Sequence, residues 1–156
     1  MATVTAGKWG YIVGTNSTSW TTARTSAATA QNQPISNGVK MRVLVQSARG
    51  GGLTNSIYRI FMAFDVSAYS SGYTISGLTL NFRGSTLGTA TLGTAVVSST
   101  AQGDADTDLT TADFTNWTTT QYASYWSWTD TNTDWSISLN AAAISAFDDD
   151  YLKLAM

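Results

Sequence analysis

The stretch from Ile57 to Asp65 constrains the fold more than any other. Tyr58, Ile60, Met62 and Phe64 form one set of alternate residues, and Ile57, Arg59, Phe61, Ala63 and Asp65 form the other. Period-two alternation marks a β-strand, and a strand apolar on both faces points to a central position in its sheet.

The same period recurs along the chain. Val39, Met41, Val43 and Val45 oppose Lys40, Arg42 and Gln46. Leu78, Leu80 and Phe82 alternate with Thr79, Asn81 and Arg83, and Trp135, Ile137 and Leu139 alternate with Ser136 and Ser138. The last segment sets Leu152, Leu154 and Met156 against Tyr151, Lys153 and Ala155. Turn formers such as 50–52 (Gly-Gly-Gly), 70–72 (Ser-Ser-Gly) and 103–104 (Gly-Asp) punctuate these runs. The pattern predicts an all-β domain spanning residues 1–156, an antiparallel β-sandwich of jelly-roll type, with residues 1–8 as a candidate N-terminal arm.

Composition supports this reading where helices are concerned. The chain has no Glu and hardly any Lys, the residues that fill exposed helix faces, so long surface helices are not expected. One short helix near the C-terminus is predicted: Asn140 caps Ala141 to Phe147, and the run Asp148 to Asp150 would sit badly at the negative end of the helix dipole. A single further turn is expected around Thr111 to Phe114. Pro34 falls in a polar stretch, residues 28–38, read as a surface loop. The near-duplicate segments 87–91 and 92–96 are too short for a stacked repeat and predict a glycine-interrupted strand pair or a bulge.

Charged residues make up 12% of the chain, about half the usual share, so neutral Thr, Ser and Asn must keep it in solution. The net charge is −2 and the pI about 4.7, which provides no footprint for nucleic acid or an anionic membrane. Nor does any run approach the roughly 18 consecutive apolar residues of a membrane span. Met1 to Gly10 lack the basic and apolar regions of a secretory leader, and synthesis in the cytoplasm is the expectation.

Two segments resemble a known pattern. Arg59-Ile60-Phe61-Met62-Ala63-Phe64-Asp65-Val66-Ser67, followed by Tyr73-Thr74-Ile75-Ser76-Gly77-Leu78-Thr79-Leu80, is similar to the jelly-roll domains of the DNRLRE type. Val66 stands where those domains usually have Leu, and Gly77 where they have Ala. The tail, Trp135 to Asn140, a short helix, then Tyr151 to Met156, resembles the versions found in tailed bacteriophages. Together the match covers roughly half of the chain, chiefly at core and turn positions, which speak for fold more than function. Related domains occur as appendages of carbohydrate-active proteins and among virion proteins. The resemblance therefore implies a head decoration protein or a small fibre or tail component on the virion surface, contacting capsid or tail proteins as a homo-oligomer. The rival reading is a carbohydrate-binding module that holds a host polysaccharide.

The chemistry of the side chains narrows the choice further. With no His and no Cys, Ser-His and Cys-His catalysis and thiolate metal sites are excluded. No Asp stands in an apolar setting that would raise its pKa for glycoside hydrolysis, and a non-enzymatic role is expected. Asp104, Asp106 and Asp108 have the alternating spacing of a calcium loop. Leu109 replaces the turn glycine, however, and Thr115 the bidentate Glu, so calcium is only a weak candidate cofactor and a solvated loop is the plainer reading. Trp117, Tyr122, Tyr125, Trp126 and Trp128 form a dense aromatic stretch that can serve as a glycan platform, a protein interface or core, and Trp9 and Trp20 share that ambiguity. Leu152, Leu154 and Met156 mark a terminal strand expected either to complete the sheet at its edge or to offer unpaired backbone to another subunit.

Overall fold

The computed structural model describes residues 2–16, 19–25, 28–32, 43–47, 53–69, 71–83, 92–101, 109–128, 133–147 and 150–156. Nine strands dominate: β1 Lys8–Asn16, β2 Ala30–Asn32, β3 Val43–Ser47, β4 Leu53–Asp65, β5 Leu78–Arg83, β6 Leu92–Ser99, β7 Trp117–Trp128, β8 Asp134–Leu139 and β9 Tyr151–Ala155. Two short helices, α1 Trp20–Thr25 and α2 Ala141–Ala146, and two 3-10 turns, Ser67–Tyr69 and Thr111–Thr115, complete the described elements. The antiparallel sandwich expected from the alternation is present.

Seven strands form one sheet in the order β2-β1-β4-β9-β6-β7, with β3 also paired to β4, and β5 and β8 form the second. As its two apolar faces require, β4 is central, flanked by β1 along nearly its whole length. The row on its other side is shared by two strands end to end. β9 covers Phe61 to Asp65, and β3 covers Leu53 to Ile57.

Each face of β4 feeds its own core. Met62 and Phe64 pack with Val66, Leu80, Val96, Leu139, Leu152 and Leu154 beneath the β5–β8 layer. The register there is the one the alternation implies: Leu78 faces Leu139, Leu80 faces Ile137, and Phe82 faces Trp135. On the opposite face Phe61 and Ile12 are fully buried with Leu109, Phe114 and Ala155, under α1 and the 111–115 turn. Each large side chain buried this way contributes about 1.5–3 kcal/mol. Phe114 reaches the sheet because residue 14 is glycine: a Cβ there would lie 2.4 Å from the Phe114 ring and 2.5 Å from the Ala23 carbonyl.

Local signals act as the sequence suggests around α2. Asn140 Oδ1 accepts from the amides of Ala142 (3.0 Å) and Ala143 (3.3 Å), and the helix closes at Phe147. The 111–115 turn is held by Asp113, whose Oδ2 accepts from the Thr110 amide at 2.8 Å and whose Oδ1 accepts from Asn116 Nδ2 at 2.8 Å.

Three features depart from expectation. α1 was not foreseen; it is a single short helix whose Ala23 is fully buried against the sheet, so tertiary contact supplies what six residues of propensity do not. β1 starts at Lys8 and, in place of a detached arm, Gly7 donates to the Ala63 carbonyl at 2.9 Å while Val4 packs on the first core. Finally, β9 is an interior strand, bonded to β4 on one side and β6 on the other. Leu152 and Leu154 are buried, and Met156 exchanges both backbone bonds with Ile60 (2.9 and 3.0 Å). The edge-strand expectation for Leu152, Leu154 and Met156 is therefore corrected: alternation reveals a strand but not its neighbours. Of the candidate strand at 39–45, residues 39–42 lie outside the described residues, as do residues 87–91 of the near-duplicate.

Candidate functional site

The aromatic stretch lies on β7, at the margin of the large sheet. Its pairing with β6 is irregular. Thr94 faces Trp126, Val96 faces Ala123, Val97 faces Gln121 and Ser99 faces Trp117, so the five steps from Thr94 to Ser99 are matched by nine on β7. The four surplus residues are taken up at three register shifts, and a bulge of this kind breaks the alternation that a sequence reading relies on.

The bulges sort the aromatic side chains. Tyr122 and Ala123, neighbours in sequence, are both buried in the first core at 5% and 4% exposure. Tyr122 is thus a core residue and not a ligand or interface aromatic; the bulge between Ala123 and Gln121 turns it inward. Trp117 (41%) and Tyr125 (67%) are exposed. The β7 backbone at Trp126 and Trp128 pairs with Thr94 and Leu92, and the side chains there lie outside the described residues. Trp9 is half-buried and Trp20 exposed at 37%.

Trp117 and Tyr125 share a face. Trp117 pairs with Ser99 and Gln121 with Val97, whose side chain packs toward the second core. Ser124 and Tyr125 fall in the irregular stretch between the Val96–Ala123 and Thr94–Trp126 pairs. Trp117, Gln121, Ser124 and Tyr125 are all exposed. The result is a stripe along β7 in which Gln121 lies between two exposed aromatics. No charged residue occurs anywhere in β7.

At the Trp117 end stands Arg59, which in the sequence counted as part of a strand pattern and as the first residue of the resembling motif, with no role of its own. Its guanidinium lies 4.0 Å from the centre of the Phe114 ring and 5.2 Å from that of Trp117. Nη1 donates to the Phe114 carbonyl at 2.6 Å, and Nη2 donates to the Arg24 carbonyl at 2.9 Å. Arg59 thereby ties α1, the 111–115 turn, β4 and β7 together. Burial, and then the positive charge of Arg24, pull its pKa below the usual value. Arg59 nonetheless keeps its charge at physiological pH. At the far end of the same strand, Asp65 Oδ1 accepts from the Ser67 hydroxyl at 2.6 Å and the Ser67 amide at 3.1 Å, which holds its carboxyl below the ordinary range. The Arg59–Ser67 motif is thus a pair of architectural devices, a staple and a strand-ending turn.

The outer edge of β7 is partly occupied. Asn140 donates from its backbone to the Tyr122 carbonyl at 2.8 Å and from Nδ2 to the Gln121 carbonyl at 2.7 Å. Among the described residues no cluster of three Asp side chains can hold a metal ion, and no helix is long and apolar enough to cross a membrane. Asp104, Asp106 and Asp108 lie outside the described residues. An open recess beside Asn81, Phe82, Asp134, Trp135 and Ser136 contains one carboxylate, that of Asp134, which is paired with Arg83 at 2.9 Å.

Compared with known proteins, the chain matches no family model, no curated protein and no solved structure.

Proposed function

We propose that this chain is a non-enzymatic structural protein of a tailed-phage virion, a capsid decoration protein or a small fibre or tail component, that works through protein–protein contacts and assembles with copies of itself. The observation that carries this reading is the exposed stripe on β7: Trp117 and Tyr125 on one face of a charge-free strand. Large aromatics are enriched and charges depleted at the centres of protein interfaces, where apolar surface leaves water without the cost of desolvating ions. The resemblance of Arg59 to Ser67 and of the C-terminal segments to phage-type jelly-roll domains gives the proposal its biological setting. Co-sedimentation with purified particles tests it, together with the oligomeric state of the free protein. A protein that stays monomeric and never travels with particles ends this reading.

A carbohydrate-binding module is the second reading, favoured by one feature of the stripe. Gln121 and Ser124 place amide and hydroxyl groups beside two exposed aromatic rings, the combination that stacks on sugar faces and bonds their hydroxyls. A glycan array without hits removes it.

A further inference from the structure

Two guanidiniums share one corner of the second core without a counter-charge. Arg59 Nη2 donates to the Arg24 carbonyl at the surface, and burial first, then the charge of Arg24, disfavour the Arg59 cation. Nothing on the neighbouring elements offsets this. α1 and β7 contain no acid, and the one acid of β4, Asp65, stands at the far end of that strand. Asp113, in the 111–115 turn, holds Thr110 with one carboxylate oxygen and Asn116 with the other. Among the described residues the Arg24 guanidinium makes no hydrogen bond or ion pair.

Like charges held together in this way destabilise the folded chain, and a bound anion removes that cost. The donors for one are present. Arg59 commits two of its N–H groups to the Phe114 and Arg24 carbonyls and keeps the others, and Arg24 is exposed on α1. A carboxylate matches such a fork with parallel, charge-assisted bonds. Because Arg59 is half-buried, water screens that attraction less than it would on an open surface.

The adjoining ring selects among carboxylates. Trp117, whose ring centre lies 5.2 Å from the Arg59 guanidinium, is exposed, and the neutral Gln121 follows it on β7. A flat aromatic face suits the apolar face of a sugar ring. An acidic sugar carries that face and a carboxylate in one unit. Trp20, one helical turn before Arg24 and also exposed, offers a ring to a neighbouring unit.

From this geometry we propose that Arg24, Arg59 and Trp117 bind a uronic-acid unit of an acidic polysaccharide, the carboxylate on the two guanidiniums and the sugar face on the indole. The inference rests on the carbohydrate reading and gives it a substrate class, acidic glycans in place of neutral ones. The chain's net charge of −2 confines the attraction to this corner, so individual acidic units are held and a long polyanion is not gathered over the whole surface.

Oligomers of galacturonate, glucuronate and mannuronate, each beside its methyl ester, test this by tryptophan fluorescence and calorimetry. The ester keeps the sugar and removes the charge. At least one acid oligomer is expected to bind, and its ester at least about tenfold more weakly. Raising NaCl from about 0.05 M to about 0.3 M is expected to weaken the acid alone. Arg24→Gln spares both carbonyl bonds of Arg59 and, with circular dichroism unchanged, is expected to bring the acid down to the level of its ester. Trp117→Ala is expected to weaken both forms. Equal binding of acid and ester, or acid binding that survives Arg24→Gln or Trp117→Ala, overturns the inference and leaves the carbohydrate reading in place. If neither the uronates nor an array of neutral glycans binds, both fall. A glutamate-rich peptide or plain acetate that competes at the same concentration as the uronate assigns the corner to carboxylates in general and also overturns the inference.

Discussion

Arg59 donates to the carbonyl of Phe114 at 2.6 Å while its guanidinium stacks on the ring of the same residue at 4.0 Å. One side chain thus holds both the backbone and the side chain of the 111–115 turn, and its second nitrogen holds the Arg24 carbonyl at the end of α1.

Arg59→Met tests how much of the second core depends on this staple. It leaves two carbonyls without their charged donor, and hydrogen bonds to charged groups contribute about 1.5–3 kcal/mol each. A loss of roughly 3–5 kcal/mol in chemical denaturation is expected once the apolar methionine offsets a small part. Arg59→Lys is expected to recover less than half, since an ammonium cannot fork to two carbonyls while lying flat on a ring.

Gly14 and Gly77 make opposite predictions. Gly14→Ala drives a methyl into the Phe114 ring and the Ala23 carbonyl, contacts of 2.4 and 2.5 Å, so the turn or α1 must move. Destabilisation of at least about 2 kcal/mol is expected, toward the upper end for overpacked sites. At Gly77 a methyl meets nothing within 4 Å. Gly77→Ala is expected to be neutral or to stabilise by up to about 1 kcal/mol through the unfolded state. Thermal melts of the two variants check both.

Asn140 serves α2 and β7 together. Asn140→Ala removes the cap on Ala142 and Ala143 and the donor to the Gln121 carbonyl, a cost of about 1–2 kcal/mol. Asn140→Asp keeps the cap acceptor but sets an oxygen against the Gln121 carbonyl. A melting temperature for Asn140→Asp below wild type and at or above Asn140→Ala would show that the two roles are separable.

Asp65 predicts a pH dependence. Its carboxyl is held below the ordinary range chiefly by the Ser67 hydroxyl and then by the Ser67 amide. An acid with a lowered folded pKa binds fewer protons folded than unfolded, so its contribution is present above the unfolded value near 3.9 and is lost as pH falls through the folded value. Ser67→Ala is expected to lower stability at neutral pH and to lose less than wild type between about pH 5 and pH 2. Urea midpoints across that range measure it.

Much of this architecture was legible in single segments. The doubly apolar alternation of Ile57 to Asp65 identified β4 as central, because a strand with two greasy faces must be covered twice. The alternations at Leu78–Phe82 and Trp135–Leu139 identified two strands that do pair, and Asn140 marked the start of α2. These are local properties, set by the backbone period or by a side chain reaching its own neighbours.

The candidate site depended on what no single segment contains. Whether β9 lies at an edge is decided by β6, more than fifty residues upstream, and Leu152 and Leu154 are core for that reason. Tyr122 went inward and Tyr125 outward because β6 is shorter than the β7 segment it pairs with, and the surplus was taken up in bulges. Arg59 became a staple only when Phe114, Trp117 and Arg24 were folded around it. Periodicity is a short-range property of the chain and is present before folding. Register, bulges and exposure follow from which distant strands meet, so they were settled only in the packed structure.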